Sequence, residues 1–320
     1  MVTLVATLLL ALSLVGCSDR HTPSPTQTSA VRPARIPAAK PVGAAWPEDQ
    51  PLTILTYNVL ASPIYTELRT RAILEILEKS DAHIIALQEV DEWFLEALVA
   101  APWVKERYHL SADDGQPVAP GGQLILAKQP LRSLSVLVMP GRQRRTLMIA
   151  ELDIRGRRLR VATTHLESFL EDGPVRARQL DGIFDLLKQA DDAVLMGDLN
   201  FGDGDQPETA HLDPSYLDLW RELLPKDPGF TWNMRENPLA RIGAFVGEPD
   251  RRLDRILLRS DAWRPRSIAL IGDHAVATRP LTRDDRRLIE MPNRPPVAGT
   301  EDIEVFPSDH YGLTATLVPR

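Results

Sequence analysis

Cysteine is almost missing from this 320-residue sequence, which contains only Cys17. A single cysteine excludes an internal disulfide framework and a zinc site built from cysteine ligands. An excess of basic residues is also missing, since 37 Lys and Arg oppose 44 Asp and Glu and give a formal charge of −7. This balance disfavours binding to nucleic acid mainly through bulk positive charge, because that mode requires a basic surface.

Long hydrophobic runs are also scarce, and the clearest is an N-terminal stretch over residues 4–15. It is too short for a transmembrane helix, which needs about 20 residues, so residues 1–16 fit a signal peptide better. The stretch ends in Leu14-Val15-Gly16-Cys17, which resembles the lipobox of bacterial lipoproteins. That resemblance implies a lipid anchor at Cys17 and a place in the bacterial cell envelope. The outer membrane is preferred because residue 18 is Ser, whereas an Asp there would favour retention in the inner membrane. The alternative is an ordinary signal peptide with an incidental cysteine.

The composition changes after the cysteine. Residues 18–51 contain seven prolines among many Thr, Ser, Ala and Arg residues. Such a segment cannot bury a hydrophobic core and is expected to stay extended. We therefore predict that residues 17–51 form a lipidated, flexible tether and that residues 52–320 form one folded domain.

Apolar strand-like runs alternate with amphipathic helix-like segments from Leu52 onward. Residues 52–57 and 83–87 have the pattern of strands, whereas residues 67–79 and 175–188 have the apolar spacing of helices. Many strands with a few interspersed helices predict an α/β domain in which two packed sheets are covered by helices. The remaining predicted strands are 123–128, 134–139, 145–154, 158–164, 193–196, 253–258 and 313–317, and a further helix is predicted over 91–100.

Polar residues able to bind a metal or move a proton stand where several of these strands end. Strand ends and their loops commonly carry catalytic residues on a rigid scaffold. Carboxylate and amide oxygens favour Mg²⁺ or Mn²⁺ over softer metals. Each residue taken singly also has a structural interpretation, although a carboxylate next to a buried strand is costly to bury unpaired. The residues are Asn58, Glu89, His165, Asp198, Asn200, Asp309 and His310.

Six short segments, taken in order, resemble the endonuclease/exonuclease/phosphatase superfamily. The resemblance implies a four-layer α/β sandwich like that of deoxyribonuclease I, and metal-dependent hydrolysis of a phosphoester. No oligomerisation signature is visible, so a monomer is expected. The segments are Thr56-Tyr57-Asn58, Leu87-Gln88-Glu89-Val90, Thr164-His165-Leu166, Gly197-Asp198-Leu199-Asn200, Arg252-Leu253-Asp254 and Ser308-Asp309-His310.

Several longer segments are similar to the tyrosyl-DNA phosphodiesterase 2 branch of that superfamily. They are residues 164–168, 230–233, 252–256 and 306–313. One position departs from the branch, which carries Leu-Arg-Asp after the asparagine where this chain has Phe201-Gly202-Asp203. The arginine that would contact the substrate phosphate is therefore missing from this place.

The superfamily resemblance implies roles for the metal and the proton carriers. Glu89 would bind the Mg²⁺ or Mn²⁺, Asn58 would hold it directly or through water, and Asp309 would lie near the metal shell. His310 would act as general base or proton shuttle, oriented by Asp254. The cation would withdraw charge from a phosphoryl oxygen.

Further residues would contact the water and the phosphodiester substrate. We expect Asp198 to position or deprotonate the attacking water, and Asn200 and His165 to donate hydrogen bonds to phosphate oxygens. Trp232 either lines the substrate site or belongs to the core. Ser168 either touches phosphate or caps the loop after its strand.

Two other patterns have structural interpretations. Residues 202–205 suggest calcium, but they lack the distal Glu of a calcium loop and predict a turn. The basic residues Arg142, Arg144, Arg145, Arg155, Arg157, Arg158 and Arg160 favour a solvated hairpin face, with a nucleic-acid or anionic-lipid contact as the alternative.

The sequence therefore predicts a metal-dependent phosphodiesterase, with nuclease or tyrosyl-DNA phosphodiesterase-like activity. A sphingomyelinase-like or other phosphoesterase activity is the first alternative. The second is a binding lipoprotein without catalysis, since a fold does not fix a function. An extracytoplasmic location disfavours repair of chromosomal DNA and leaves room for scavenging of extracellular nucleic acid or phosphate.

Overall fold

A computed structural model describes residues 32–33, 46–111, 122–288 and 301–320. The predicted signal peptide, Cys17 and most of the predicted tether lie outside the described residues. Arg32–Pro33, within the predicted tether, pairs with residues 135–136 at the edge of a sheet. No helix in the described part of the chain is long and apolar enough to cross a membrane.

The secondary structure of the described residues follows the predicted alternation of strands and helices. The strands are β1 (Arg32–Pro33), β2 (Leu52–Asn58), β3 (Ile84–Val90), β4 (His109–Leu110), β5 (Gly122–Ala127), β6 (Leu131–Val138), β7 (Thr146–Ile154), β8 (Arg157–His165), β9 (Asp192–Asp198), β10 (Leu217–Asp218), β11 (Asp254–Arg259), β12 (Trp263–Ile271), β13 (Ala277–Leu281), β14 (Glu301–Val305) and β15 (Gly312–Pro319). The α-helices are α1 (Thr66–Ser80), α2 (Glu92–Ala100), α3 (Pro102–Arg107), α4 (Gly173–Leu187), α5 (Leu219–Leu223), α6 (Pro238–Gly243) and α7 (Arg283–Arg287).

Two mixed sheets form the centre of the fold. One has the strand order β1-β6-β7-β8-β9-β11-β10, the other has the order β12-β15-β2-β3-β5-β4, and β13 and β14 form a separate hairpin. Helices α1 and α2 cover the outer face of the second sheet, and α4 covers the outer face of the first. The predicted four-layer α/β sandwich is confirmed.

Strand β2 shows why the central strands are apolar on both faces. Leu52 and Ile54 point into the core between the two sheets, whereas Leu55 and Tyr57 point toward the helices. A strand buried on both faces needs a nearly continuous apolar run, and that run is what made these strands predictable.

The predicted strands omit β12, β13 and β14, as well as the two-residue strands β1, β4 and β10. Strand β12 lies at a sheet edge and buries Trp263 and Ile268, whereas Arg264 and Arg266 are exposed. Its pairing shifts between Pro265 and Ser267, where a bulge accommodates the proline. Too few of its residues are apolar to produce a clear strand pattern.

The pairing of the strands brings the predicted site residues together. Strands β8 and β9 are parallel and place His165 beside Asp198, while the antiparallel β11 places Asp254 on the other side of Asp198. In the second sheet, the parallel strands β2 and β3 place Asn58 beside Gln88. The carboxyl ends of four strands from two sheets therefore meet at one end of the sandwich.

A buried arginine on α1 fixes the loops at this end. Arg69 is fully buried, and its guanidinium donates hydrogen bonds of 2.7–3.0 Å to backbone carbonyls. A buried carbonyl without a partner costs about 1–3 kcal/mol, so these bonds stabilise both the loop after β2 and the loop before β15. The five accepting residues are Val59, Leu60, Ser62, Ile64 and Pro307.

We expect Arg69→Met to lower the free energy of unfolding by about 3 kcal/mol or more, because it leaves several buried carbonyls without a donor. Urea denaturation followed by circular dichroism measures the change. Arg71→Met, on the exposed side of the same helix, is the matched control and should stay within about 0.5 kcal/mol of the wild type. Equal unfolding midpoints for the two variants would contradict this role for Arg69.

Candidate active site

A cavity of about 220 Å³ lies where these strand ends meet. Two of the predicted site residues, Asn58 and Asp254, are fully buried behind its wall. The other eight line it: Glu89, His165, Ser168, Asp198, Asn200, Trp232, Asp309 and His310. All ten predicted residues therefore belong to one constellation.

The side chain of Asn58 joins carboxylates from the two sheets. Its Nδ2 donates to Glu89 Oε1 at 3.0 Å and to Asp198 Oδ2 at 3.1 Å. Its Oδ1 accepts from the backbone N–H of Leu60 at 3.1 Å, which fixes the orientation of the amide. Asn58 thus sets the distance between the two carboxylates.

The backbone of Glu89 is strained. The residue has a φ of 57°, in the left-handed region, where the register between β3 and β5 shifts. Its Oε2 accepts from the N–H of Ala61 at 2.9 Å. Bulges and strained residues often re-aim a side chain at a functional site, and here the carboxylate is directed to the cavity.

His165 is buried in its neutral form. Burial and the neighbouring Arg145 charge hold its pKa well below the usual value. Arg145 Nη1 lies 3.0 Å from His165 Nδ1, and because arginine can only donate, Nδ1 is the acceptor. The ring proton is therefore on Nε2, which lies 3.3 Å from Asp198 Oδ2.

Asp198 is the carboxylate at the centre of the constellation. Burial raises the pKa of Asp198 to about 6, although the positive charge of His310 acts to lower it. Its Oδ1 accepts from the N–H of Asn200 at 3.0 Å. The preceding Gly197 has a φ of 148°, and a Cβ there would lie 2.1 Å from the carbonyl oxygen of Thr164, so the glycine permits close packing of β8 and β9.

His310 and Asp254 form a buried ion pair. His310 Nδ1 donates to Asp254 Oδ2 at 2.8 Å, and Trp232 packs on the imidazole with 4.9 Å between ring centroids. Burial lowers the pKa of His310, but the charges of Asp254 and Asp198 outweigh this effect and raise the pKa well above its usual value. The imidazole is therefore protonated, with Nε2 3.7 Å from Asp198 Oδ2.

Glu89 and Asp309 fit a divalent cation. Burial raises the pKa of Asp309, and the charge of Glu89 raises it further, although His310 opposes both effects. Two carboxylates that repel each other beside a cavity are relieved by a positive ion, and oxygen ligands are those that Mg²⁺ prefers. The donor set at this wall is therefore compatible with the predicted metal.

A second group of residues has the spacing of metal ligands. One potential ligand atom from each of Asp198, Asp254 and His310 lies within 4.8 Å of the others. A protonated imidazole has no free lone pair for a metal, however, and the 2.8 Å contact between His310 and Asp254 already uses one nitrogen. The arrangement is better suited to moving a proton.

Two predicted phosphate contacts have partners within the protein. Asn200 Nδ2 donates to the carbonyl of Leu166 at 2.9 Å, so one of its two amide hydrogens is directed away from a ligand. Ser168 Oγ accepts from Gln143 Nε2 at 2.8 Å, and the Ser168 N–H donates to Gln143 Oε1 at 2.8 Å. Ser168 therefore ties two loops together at the cavity wall.

The sequence-based interpretation of the arginines is wrong for Arg145. That side chain is half-buried beside His165 and lines the cavity instead of facing solvent on a hairpin. The pattern gave no sign of this, because Arg145 is adjacent to Arg144 in a basic run. Arg157, in contrast, lies at the β7–β8 turn and pairs with Asp192 at 2.7 Å.

Residues 202–205 form the predicted turn, and the turn has a further role. Asp203 contacts Arg252 and Arg255 at 2.5 and 2.9 Å, and these two arginines also contact Asp218. Hydrogen bonds and charge from the arginines lower the pKa of Asp203 despite its burial. The turn is thus an anchor for the loop that follows Asn200.

The comparisons with known proteins agree with this geometry. Residues 55–310 match the Endonuclease/Exonuclease/phosphatase family. The chain belongs to this family. The match begins within β2 and ends at His310, and so contains all ten predicted residues.

Relatives of this family member include tyrosyl-DNA phosphodiesterase 2 of Danio rerio, which is 25% identical over 308 residues and covers 94% of this chain and 76% of the relative. The solved structure of that D. rerio enzyme with a single-strand DNA product has a TM-score of 0.65 and 22% identity, covering 84% of this chain and 99% of its own. The structure of sphingomyelinase C of Streptomyces griseocarneus has a TM-score of 0.60 and 20% identity, and the match covers 83% of this chain and 99% of that enzyme's chain. At these identities the structural likeness establishes the fold.

We expect Asp254→Asn to lower the pKa of His310, because the main charge that favours the imidazolium is removed. The same ion pair stabilises the folded, metal-free wild type. This stabilisation is fully present below about pH 6.5, the pKa of a histidine in the unfolded chain, and it is lost as the pH rises through the higher pKa that His310 has in the folded protein. NMR titration of the imidazole signals measures the shift. Asp250→Asn, whose carboxylate pairs with Arg235, is the control and should leave the His310 titration unchanged.

Proposed function

We propose that this family member is a divalent-metal-dependent phosphodiesterase that acts on nucleic acid or on a tyrosyl-DNA type of phosphodiester. The observation that carries the proposal is the placement of the Asp198 carboxylate beside the protonated His310–Asp254 pair at one cavity wall. A proton acceptor next to a proton donor suits the attack of water on a phosphoester, where one oxygen loses a proton and another gains one.

Mg²⁺ or Mn²⁺ would be held by Glu89 and Asp309, with Asn58 bracing the Glu89 carboxylate. When bound, the metal supplies positive charge to the phosphoryl oxygens. The Asn58 Nδ2 bond to Glu89 fixes one carboxylate oxygen at 3.0 Å and leaves the second lone pair of that oxygen for a ligand.

Proton transfer falls to the aspartate and the two histidines. With a pKa of about 6, Asp198 is largely ionised at neutral pH and accepts a proton from the attacking water. The Nε2 of neutral His165 lies 3.3 Å from Asp198 Oδ2, beside the carboxylate. Because His310 is protonated, it is suited to donate a proton to a phosphoryl oxygen or to the leaving oxygen. The role of general base, which the sequence analysis also considered, would require a neutral imidazole ring.

Two findings support a nucleic acid or tyrosyl-DNA substrate. The D. rerio relative named above is a tyrosyl-DNA phosphodiesterase, and its solved structure holds a DNA product. Arg145 also supplies a guanidinium at the cavity, although residues 201–203 supply none there. The charge of −7 limits the contact to a short stretch around the scissile phosphate.

A lipid-headgroup phosphodiester is the second candidate substrate. Leu60, Leu253 and Leu288 line the same cavity, so part of its lining is apolar. The likeness of the fold to sphingomyelinase C is compatible with this alternative.

The location of the protein remains a proposal of its own. We propose a monomeric envelope lipoprotein anchored through Cys17, and the support is the apolar run followed by Leu-Val-Gly-Cys. An enzyme in this place would meet extracellular nucleic acid and not the chromosome.

We expect Asp198→Asn to lower kcat about 10²- to 10⁴-fold without unfolding the protein, because the amide cannot accept the proton of the water. Hydrolysis of bis-p-nitrophenyl phosphate with Mg²⁺ or Mn²⁺ measures the rate, and EDTA should abolish it. Asp185→Asn, an exposed carboxylate on α4, is the matched control and should be as active as the wild type. An unchanged kcat for Asp198→Asn would refute the assignment.

The natural substrate class is found with a panel assayed under the same conditions. It contains a 5′-phosphotyrosyl oligonucleotide, single- and double-stranded DNA, RNA, sphingomyelin and inositol phosphates. Cleavage of the phosphotyrosyl or nucleic-acid members supports the first candidate, and selective cleavage of sphingomyelin supports the second. Absence of turnover on every member would favour a binding protein.

We expect Cys17→Ser to abolish incorporation of labelled palmitate in a bacterial host and to release the protein from the membrane fraction, since serine offers no thiol for lipid attachment. Autoradiography and membrane fractionation measure the two effects. Ser18→Ala keeps the cysteine and is expected to stay labelled. Membrane retention of an unlabelled Cys17→Ser protein would contradict the anchor.

A further inference from the structure

A second cavity, of about 440 Å³, lies on the first sheet at the end opposite the active site. Strand β8 begins at this cavity with Arg157 and ends at the active-site cavity with His165. These two residues are about 26 Å apart along the strand. We call the second cavity the arginine groove, after the four arginines that line it: Arg132, Arg157, Arg158 and Arg160.

Arg158 is the arginine of the groove that has no partner. Its side chain is exposed, and it makes no hydrogen bond or ion pair with the part of the chain that the structure describes. Asp153 stands opposite it on strand β7, but that carboxylate pairs with Arg132 at 2.8 Å. A cation that is free at the surface of an acidic protein is available for an anionic ligand.

The other three arginines are each held by a carboxylate through Nε, at 2.7–2.8 Å. The pairs are Arg132–Asp153, Arg157–Asp192 and Arg160–Glu151. Within the described ranges, the two Nη groups of Arg132 and of Arg157 have no hydrogen-bond partner. The carboxylates thus fix the guanidinium groups and leave the nitrogens that bind phosphate oxygens in pairs.

The C-terminal end of α4 forms another part of the groove wall. The last carbonyls of a helix carry partial negative charge and would repel an anion. Here arginines bind them: Arg160 Nη1 donates to the carbonyl of residue 186 at 3.1 Å, and Arg259 Nη2 donates to those of residues 187 and 190 at 2.7 and 2.5 Å. The helix end is therefore compatible with an anionic ligand.

The negative side chains of the groove are mostly engaged. Four arginines line it against three aspartates, so positive charge is in excess although the whole chain has a charge of −7. Asp192 is buried, and its two oxygens accept hydrogen bonds from Arg157 and Ser260. With Asp153 paired as well, only the exposed Asp191 faces the ligand without an ion pair among the described residues.

The predicted tether runs along the same edge of the sheet as the groove. Strand β1 pairs with β6, the strand that supplies Arg132, and Arg32 stands opposite Val136. Arg132 and Val136 are about 13 Å apart along β6. The chain between residues 17 and 32 spans at most about 50 Å when it is fully extended. A lipid attached at Cys17 would therefore keep the groove within reach of the bilayer.

We infer that the arginine groove binds the phosphate of an anionic phospholipid headgroup at the membrane surface. The inference goes beyond the proposed catalysis and rests on the proposed anchor only for the position of the membrane. Arginine forks match phosphate oxygens, and basic side chains near a bilayer are attracted to its negative surface. With the groove on the headgroups, the active-site cavity lies at the far end of the sheet and is left open to soluble substrates.

Binding through a few arginines is weak and reversible, and salt screens it. The groove therefore adds to a lipid anchor and does not replace it. A Cys17→Ser protein would still be released from the membrane fraction by a salt wash.

Sedimentation with vesicles tests the groove, and it uses the full-length Cys17→Ser protein so that no attached lipid contributes. One set of vesicles contains phosphatidylcholine alone, and the other contains phosphatidylcholine and phosphatidylglycerol in equal parts. The protein should bind the mixed vesicles about tenfold more tightly at low ionic strength, and this preference should vanish at about 0.5 M salt. The N-terminal segment is the same in every variant, so its contribution cancels.

Two variants assign the preference to the groove. Arg158→Gln should weaken binding to the mixed vesicles about fivefold, and Arg132→Gln/Arg158→Gln should abolish the preference. Neither should change binding to phosphatidylcholine alone. Arg71→Gln is the matched control, because it removes the same charge from the exposed face of α1, and it should bind like the parent protein. Circular dichroism checks that each variant is folded.

The inference is overturned if the mixed vesicles are not preferred, if Arg158→Gln keeps the full preference, or if Arg71→Gln loses as much as Arg158→Gln. A single-stranded oligonucleotide, titrated with EDTA present, tests the other class of ligand. If Arg158→Gln weakens binding of the oligonucleotide and leaves vesicle binding unchanged, the groove contacts nucleic acid and the lipid inference is wrong.

Failure of the earlier proposals is measured separately. If the anchor is absent, wild-type protein takes up no palmitate, whereas the vesicle assay uses protein without a lipid and is unaffected. If the proposed catalysis is wrong, the hydrolysis assays show it, and the preference for phosphatidylglycerol does not change.

Discussion

The amide of Asn58 is the interaction on which the rest of the site depends. Its two hydrogens are shared between Glu89, from one sheet, and Asp198, from the other. Both carboxylates would otherwise repel each other at the end of the sandwich. Since asparagine carries no charge, it joins them without neutralising either, so Glu89 stays available for a cation and Asp198 for a proton.

Charge balance explains the other buried polar residues. Asp254 and Asp309 add two more carboxylates to the same end of the fold. Asp254 is fully buried, and burial raises the pKa of Asp309, so both negative charges are costly without positive partners. His310, Arg69 and Arg145 provide positive charges around them. The arginine on α1 also holds the loops, so folding and the electrostatics of the cavity rest partly on the same side chain.

The sequence predicted the parts of the protein whose physics is local. Continuous apolar runs revealed the buried strands, and polar residues at their ends revealed the site, because strand direction alone brings such ends together. Arg145 escaped prediction for a different reason. Its role depends on where the loop before β7 lies relative to the cavity, and one basic residue in a loop has no periodic pattern. The edge strand β12 escaped because it buries only one face.

The location of the site at the seam between two sheets has a mechanical consequence. His165, Asp198 and Asp254 move with one sheet, whereas Asn58 and Glu89 move with the other. The apolar core between the sheets, which includes Ile54 and Met196, therefore acts as the spacer that sets the reacting geometry. Catalytic groups tolerate displacements well below 1 Å, and packed interiors transmit strain. Small changes of volume deep in the sandwich are thus changes of alignment at the cavity.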